Sequence, residues 1–334
     1  MLAVLLSLAL GAVWLLRPLA PGGLESHPRP VATFGEALRL VDSLRALDTP
    51  AIAPECRTEL LSHGVRTARV VVLFHGLTNC PAQWDSIARI AYACGANVLV
   101  PRLPHHGFAD HMTEELARMD AGELCAFTDR ALDAAHGLGD RVTVAGLSIG
   151  GVMAAWAGQE RRDVDRAVVI VPMFGWSGAP GPARTAALAR LAGVLPNAFV
   201  WWDDKRKQNL AGPRHVYPRF ATRSVAACML LGGAVRAAAA HRAPAARSLV
   251  VLTVGNDPAV DNSATAALAR AWSRNSPGAV ETYEFPAALH LSHDVVDPEQ
   301  VGGNPAATYP VLLRYLAPCG STAPVRRNPF VFHP

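Results

Sequence analysis

The sequence predicts an α/β fold in which a mainly parallel central sheet is flanked by helices and a helical cap is inserted late in the chain. Three observations carry this. Short apolar runs rich in Val, Ile and Leu alternate with helical stretches, and strands that are apolar throughout are covered on both faces. One such run passes into Gly146-Leu147-Ser148-Ile149-Gly150, and residues 152–157 then read as helix. Finally, about 75 residues between Val171 and Leu249 hold no strong strand and interrupt the rhythm.

Taken in order, the elements begin with an apolar N-terminal run. Residues 2–16 are apolar apart from Ser7, and Arg17-Pro18 ends the run. Roughly 15 residues is short for a membrane span, which needs about 20. No Lys or Arg precedes the run, no small-x-small cleavage site follows it, and no Cys marks a lipoprotein signal. An uncleaved anchor, a signal peptide and a mis-assigned start all fit, and the expectation is membrane association or export. Residues 1–20 are therefore set apart as an anchor or signal segment.

Residues 21–52 read as a Pro-rich linker followed by an amphipathic helix over Phe34-Gly35-Glu36-Ala37-Leu38-Arg39-Leu40-Val41-Asp42-Ser43-Leu44. The remaining chain, 53–334, reads as one domain. Its strands are expected at 70–74, 97–100, 141–145, 167–171, 249–254 and 280–285, with a helix at about 82–93. The cap, at about 176–247, contains helical patterns near 184–195 and 223–240 and the aromatic run Phe199-Val200-Trp201-Trp202. Ligands of open α/β sheets bind at the C-terminal edge that such an insertion covers.

Composition bounds the function. A chain of 334 residues with 51% hydrophobic and 17% charged residues builds a packed core, which excludes wholesale disorder. The net charge of +4 is spread along the chain. Lys205-Arg206-Lys207 and Arg326-Arg327 are short and come with no binding motif, so they read as solvated surface and no nucleic-acid partner is expected. The six cysteines, Cys56, Cys80, Cys94, Cys125, Cys228 and Cys319, form no C-x-x-C pair, so neither a zinc nor a redox motif is indicated. Export would permit disulfides, and buried single thiols are the alternative; pairing is left open.

The Gly146–Gly150 turn carries the chemistry. A serine on a tight strand-to-helix turn is held clear of its neighbours, and small residues on either side relieve the crowding. The N–H groups of the following helix favour negative charge there. Ser148 is thus a candidate nucleophile, and it requires a base, a group to orient that base and donors for an oxyanion. His75-Gly76-Leu77-Thr78 follows the strongest early strand, so the N–H groups of Leu77 and Ile149 are the candidate donors. His75 itself reads as structural. Asp257 is the first carboxylate after the run 249–254, with Asp261 as the alternative, and either could instead cap the helix beginning near Ser263. Among the histidines after the last strand, His293 is preferred over His290. His105, His106, Asp110 and His111 cluster locally, but their spacing matches no metal motif, and a solvated loop with one structural His is expected.

The runs Leu73-Phe74-His75-Gly76-Leu77-Thr78, Val100-Pro101-Arg102-Leu103-Pro104-His105-His106-Gly107 and Gly146-Leu147-Ser148-Ile149-Gly150-Gly151 resemble the α/β-hydrolase superfamily. They look most like its carboxylesterase and monoacylglycerol-lipase branch, the serine aminopeptidase-like hydrolases. The resemblance spans about 58–316 and is weakest in the cap. It implies Ser148 as nucleophile, Asp257 as acid, His293 as base, Leu77 and Ile149 as oxyanion donors, and no metal or organic cofactor. The sequence departs from the pattern twice. His105 replaces the usual glycine of the second loop, and Ser292-His293-Asp294 stands where Gly-His-x is commoner, which keeps His290 in play. The expected activity is hydrolysis of small-molecule carboxylic esters, including lipid esters, through an acyl-enzyme. A peptidase, a thioesterase and a non-catalytic binding protein of the same fold are the alternatives.

Overall fold

The computed structural model describes residue 1, residues 10–202 and residues 212–319. Residues 2–9 of the apolar N-terminal run, and both basic clusters, lie outside the described residues.

Seven strands form the central sheet: β1 (Glu59–Leu61), β2 (Thr67–Phe74), β3 (Asn97–Val100), β4 (Gly139–Leu147), β5 (Arg166–Ile170), β8 (Ser248–Val254) and β9 (Val280–Phe285). Their order is β1-β3-β2-β4-β5-β8-β9, and all neighbours are parallel except β1, which runs antiparallel to β3. Side chains alternate across the sheet because successive Cβ atoms point to opposite faces. Val70, Val72 and Phe74 enter one core, and Val71 and Leu73 enter the other. Each fully buried Val or Leu contributes roughly 1.5–3 kcal/mol, so a one-residue register slip would be severely penalised.

Helices α1 (Phe34–Arg45), α2 (Asp85–Ala93), α3 (Ala121–Leu138), α4 (Ile149–Glu160), α7 (Asn262–Asn275) and α8 (Pro305–Leu316) cover the two faces. Residues of α1, α3, α4 and α7 share the first core, and those of α2 and α8 share the second. α1 begins at a Thr33–Glu36 capping box and buries Ala37, Val41 and Leu44.

Between β5 and β8 the chain leaves the sheet. It forms α5 (Pro182–Val194), the short strands β6 (Phe199–Trp201) and β7 (Arg219–Ala221), and α6 (Thr222–His241). Beside its helices the interval carries a short β-ribbon, in which β6 and β7 pair antiparallel. The aromatic and β-branched Phe199-Val200-Trp201 favours extended backbone, which explains the strand.

Two disulfides join Cys56 to Cys80 and Cys94 to Cys319, while Cys125 and Cys228 are buried thiols.

Candidate active site

Ser148 follows β4 and opens α4 with φ 60° and ψ −113°. Few L-residues adopt this geometry, and its surroundings hold it in place. The Ser148 N–H donates to the Ile170 carbonyl at 3.0 Å, and the Ser148 carbonyl accepts from Met173 N–H at 3.2 Å. A Cβ on Gly146 would run into the backbone of Gly150, and one on Gly150 into the carbonyls of Phe74 and His75. Close approach at the turn therefore dictates both glycines. Ser148 is 7% exposed, and what is exposed faces a cavity of about 480 Å³.

His293 lines the same cavity. Its Nδ1 donates to Asp257 Oδ2 at 2.8 Å, with Oδ1 at 3.1 Å, which leaves Nε2 as the basic nitrogen. Asp257 lies just beyond β8 with its side chain fully buried. Its Oδ1 also accepts from the N–H groups of Ala259 and Val260, at 2.8 and 3.1 Å. Burial alone would lower the His293 pKa. The hydrogen bond and charge of Asp257, with the charge of Asp294, outweigh burial and hold it above the ordinary imidazole value.

The alternatives lie elsewhere. His290 is exposed, takes a left-handed φ of 47° at the end of a 3-10 turn, and is not among the cavity-lining residues. Asp261 is the N-cap of α7, accepting from Ser263 N–H at 2.9 Å and from Gly181 N–H at 2.8 Å.

The oxyanion geometry follows from the peptide plane of Gly76–Leu77. The Gly76 carbonyl accepts from His75 Nδ1 at 2.9 Å and from Asn79 N–H at 3.1 Å. In a trans peptide the Leu77 N–H points the opposite way, and Leu77 lines the cavity. Ile149 is the first residue of α4, so its N–H has no acceptor within the helix. His75 accepts from Leu103 N–H on Nε2 at 3.1 Å and is fully buried, and burial pushes its pKa well down. It thus acts as a loop brace.

Within the His105 cluster, His106 is the buried member. Its Nε2 stands 2.7 Å from the Leu77 carbonyl and its Nδ1 2.8 Å from the Pro104 carbonyl, and burial pushes its pKa down to about 4. His105 takes φ 65° at the position where a glycine is usual, and its two ring nitrogens each lie 3.0 Å from a carboxylate, Glu115 and Glu123. Among the described residues, no group of three or more His, Cys, Asp or Glu side chains is placed to hold a metal ion.

Sequence reasoning missed three groups. Tyr217 donates its N–H to the Thr78 carbonyl at 2.7 Å, so the segment after β6 braces the oxyanion loop. Gln83 accepts from Gly76 N–H, and Asp294 accepts from Gln83. The contacts of Tyr217 and Asp294 join residues far apart in the chain, and nothing in the local pattern marks any of the three.

The alpha/beta hydrolase family model matches residues 71–301, a stretch that holds Ser148, Asp257 and His293. The chain belongs to the alpha/beta hydrolase family. Known hydrolase structures share its architecture. A soluble variant of monoglyceride lipase from Saccharomyces cerevisiae, in complex with a substrate analog, is 13% identical. That match covers 80% of this chain and 92% of the lipase, with a TM-score of 0.59. A structure reported with the metagenome-derived lipolytic enzymes LipS and LipT is 18% identical over 73% of this chain and 94% of its own, with a TM-score of 0.54. The monoacylglycerol lipase of Paleococcus ferrophilus is 15% identical over 72% and 92%, with a TM-score of 0.50. At these identities the likeness is one of fold. A search of curated proteins finds no match.

Proposed function

We propose that this hydrolase cleaves carboxylic esters carrying a hydrophobic acyl or alkyl group, through a serine acyl-enzyme. The observation that carries the reading is the Asp257–His293 pair, its carboxylate buried, meeting the strained Ser148 at one cavity. In this mechanism His293 Nε2 takes the Ser148 hydroxyl proton as Oγ attacks the ester carbonyl, and the Ser148 Oγ–acyl carbon bond forms. Asp257 keeps the imidazole in the required tautomer and stabilises its cation. The N–H groups of Leu77 and Ile149 receive the oxyanion, each worth roughly 3 kcal/mol of barrier in well-studied hydrolases. His293 then returns the proton to the leaving alkoxide as the ester bond breaks. A water molecule, deprotonated by the same histidine, releases the acid and restores Ser148.

The cavity wall supports the substrate class. Met173, Trp176, Trp201, Trp202 and Phe220 give it a broad apolar face, while Asn79 and Gln300 supply polar groups. Orientation of an apolar ligand by a few polar groups is the usual design of such sites. We also place the protein outside the cytosol or at a membrane. The apolar N-terminal run favours this, as do two disulfides, which persist in oxidising compartments.

Hydrolysis of a p-nitrophenyl ester series from acetate to palmitate tests the reading. Turnover and fluorophosphonate labelling are expected in the wild type. Both should be lost in Ser148→Ala and turnover lost in His293→Ala, while His290→Ala stays active. A folded wild type that neither turns over nor labels would refute it.

A further inference from the structure

We propose that Gln83 and Asp294 are positioning residues, a one-way hydrogen-bond bridge that locks the oxyanion loop to the loop carrying the catalytic base. The inference rests on the serine-hydrolase reading above and adds two residues that touch no reacting atom.

The bridge is short and buried. The Gly76 N–H donates to Gln83 Oε1 at 2.8 Å, and Gln83 Nε2 donates to Asp294 Oδ2 at 2.6 Å. Asn79 Nδ2 reaches the same oxygen at 3.4 Å. Asp294 Oδ1 accepts from the N–H groups of Val296 and Asp297, each at 3.0 Å. Gln83, Asn79 and Asp294 are all buried. One carboxylate thus gathers four N–H groups from two loops.

Both ends of the bridge touch catalytic geometry. Gly76 carries the peptide whose other face presents the Leu77 N–H. Asp294 directly follows His293. A shift of either loop would move an oxyanion donor relative to the base, and preorganised donors lose much of their effect when misplaced by about 1 Å. Cys80, one residue beyond Asn79, is tied to Cys56, so the oxyanion loop is held from that side as well.

The bridge also has a direction. A backbone N–H can only donate, so it fixes the acceptor end of the Gln83 amide. The donor end must then meet a group that accepts. An ionised carboxylate accepts only, whereas an amide at 294 would bring its own N–H groups. The arrangement therefore favours a swap of the pair over a single amide–acid exchange, the swap giving up only the 3.4 Å contact of Asn79. Burying a carboxylate here is costly unless it is fully hydrogen-bonded, and these four N–H groups supply that.

The exchange supplies the test. In Asp294→Asn, whichever way the two amides turn, one N–H faces another N–H. In Gln83→Glu, two carboxylates face each other and can stay in contact only by sharing a proton, so the loss should grow as pH rises and that proton leaves. Each single variant should lower kcat roughly 10- to 100-fold, less than outright loss of a donor, with KM changed by less than about 3-fold. In the double variant Gln83→Glu/Asp294→Asn, residue 83 accepts from Gly76 N–H and from the amide at 294. The new amide oxygen still accepts from Val296 and Asp297, and only the long Asn79 contact, at 3.4 Å in the wild type, is lost. The double variant should return kcat to within about 5-fold of wild type, a coupling that independent sites do not show. Thermal unfolding run in parallel separates positioning from folding. If Asp294→Asn does not fold, Gln83→Met keeps the volume, removes both ends of the bridge and should show the same loss of kcat. Folded single variants with wild-type kcat would overturn the bridge, as would a folded double variant no better than the worse single. A folded wild type with neither ester turnover nor fluorophosphonate labelling would instead refute the serine-hydrolase reading, and this inference with it.

Discussion

Ser148 holds a backbone conformation that costs on the order of 1–3 kcal/mol, and such strain persists only where the surroundings over-determine it. The glycines that permit the turn lie two positions either side of Ser148, which is why this part of the site is legible in the sequence. Each glycine of the turn answers to an atom a few residues away or to the adjacent strand. His293 and Asp257 are legible for a related reason, because each follows the end of a strand. Gln83 is not, since its partner lies 211 positions on and an amide in a 3-10 turn has no pattern of its own. The His293 pair gives a signed prediction. A base must be neutral to act, so kcat/KM should fall as pH drops through the His293 pKa, which stands above the ordinary value of about 6.5. Stability runs the other way. A raised folded pKa adds stability that is complete below the unfolded value and is lost as pH rises through the folded one. Asp257→Asn removes the main upward pull and leaves burial, so the acid limb of the residual rate should move to lower pH. The rate itself should fall roughly 10⁴-fold, as when a triad aspartate becomes asparagine. A pH–rate profile of both proteins checks this, and an unmoved limb would show that Asp257 does not set the base.

At the scale of elements, five strands of the central sheet were readable from apolar runs buried on both faces, and the sixth, β9, from its alternation of Val, Thr, Tyr and Phe with Glu. β1 was not, since its three residues are only partly buried. α3 escaped for the opposite reason. It is a long buried helix, but Asp129 and Asp133 occupy inward positions and break its apolar period. Their charges answer to Arg161, which bonds both at 2.8 Å from the next helix, α4, and its flank. Composition that looks like surface is thus core chemistry, paired across elements. The contact between α1 and α3 yields a prediction. A Cβ on Gly137 of α3 would collide with the Thr33 carbonyl and lie 2.7 Å from Ala37 Cβ, so the N-cap of α1 would have to move. Gly137→Ala should therefore destabilise by roughly 1–2 kcal/mol, overpacking exceeding the gain in helix propensity. Gly193 in α5 has nothing within 4 Å of such a Cβ, so Gly193→Ala should be neutral or stabilising by up to about 1 kcal/mol. Denaturant midpoints of the two variants decide the matter, and equal shifts would remove the steric argument.

Across the whole molecule, the N-terminal arm, the segment between β5 and β8, and the sheet are fastened to one another. The Pro-rich stretch after the apolar run is bound along its length. Trp156 Nε1 donates to the Leu24 carbonyl at 2.6 Å, Ser26 Oγ to Asp129 at 2.6 Å and Arg29 N–H to Asp133 at 3.0 Å. Further upstream, Arg190 of α5 donates to the carbonyls of Leu15 and Arg17, and Leu19 is buried against Ala186, Ala189 and Met229. A Cβ on Gly233 would stand 2.5 Å from Leu19 Cβ, so α6 approaches the arm closely enough to require glycine. The arm thus packs on α5 and α6, and the chain between those helices supplies the cavity residues Trp201, Trp202, Val216 and Phe220. Truncating Leu19 removes the side chain that joins these parts. Because α6 is held on its other side by α4 and α7, the hole should not fully collapse, and Leu19→Ala should destabilise by about 2–4 kcal/mol. Val13 lies on the same arm and is 66% exposed, so Val13→Ala should stay within about 0.5 kcal/mol of wild type. Hydrogen exchange should locate the Leu19→Ala loss in α5 and α6 before it reaches β4 and β5, since local opening follows the weakest cooperative unit. If protection fell evenly over the molecule, or Leu19→Ala matched Val13→Ala, the arm would be a passenger on the fold and no part of its closure.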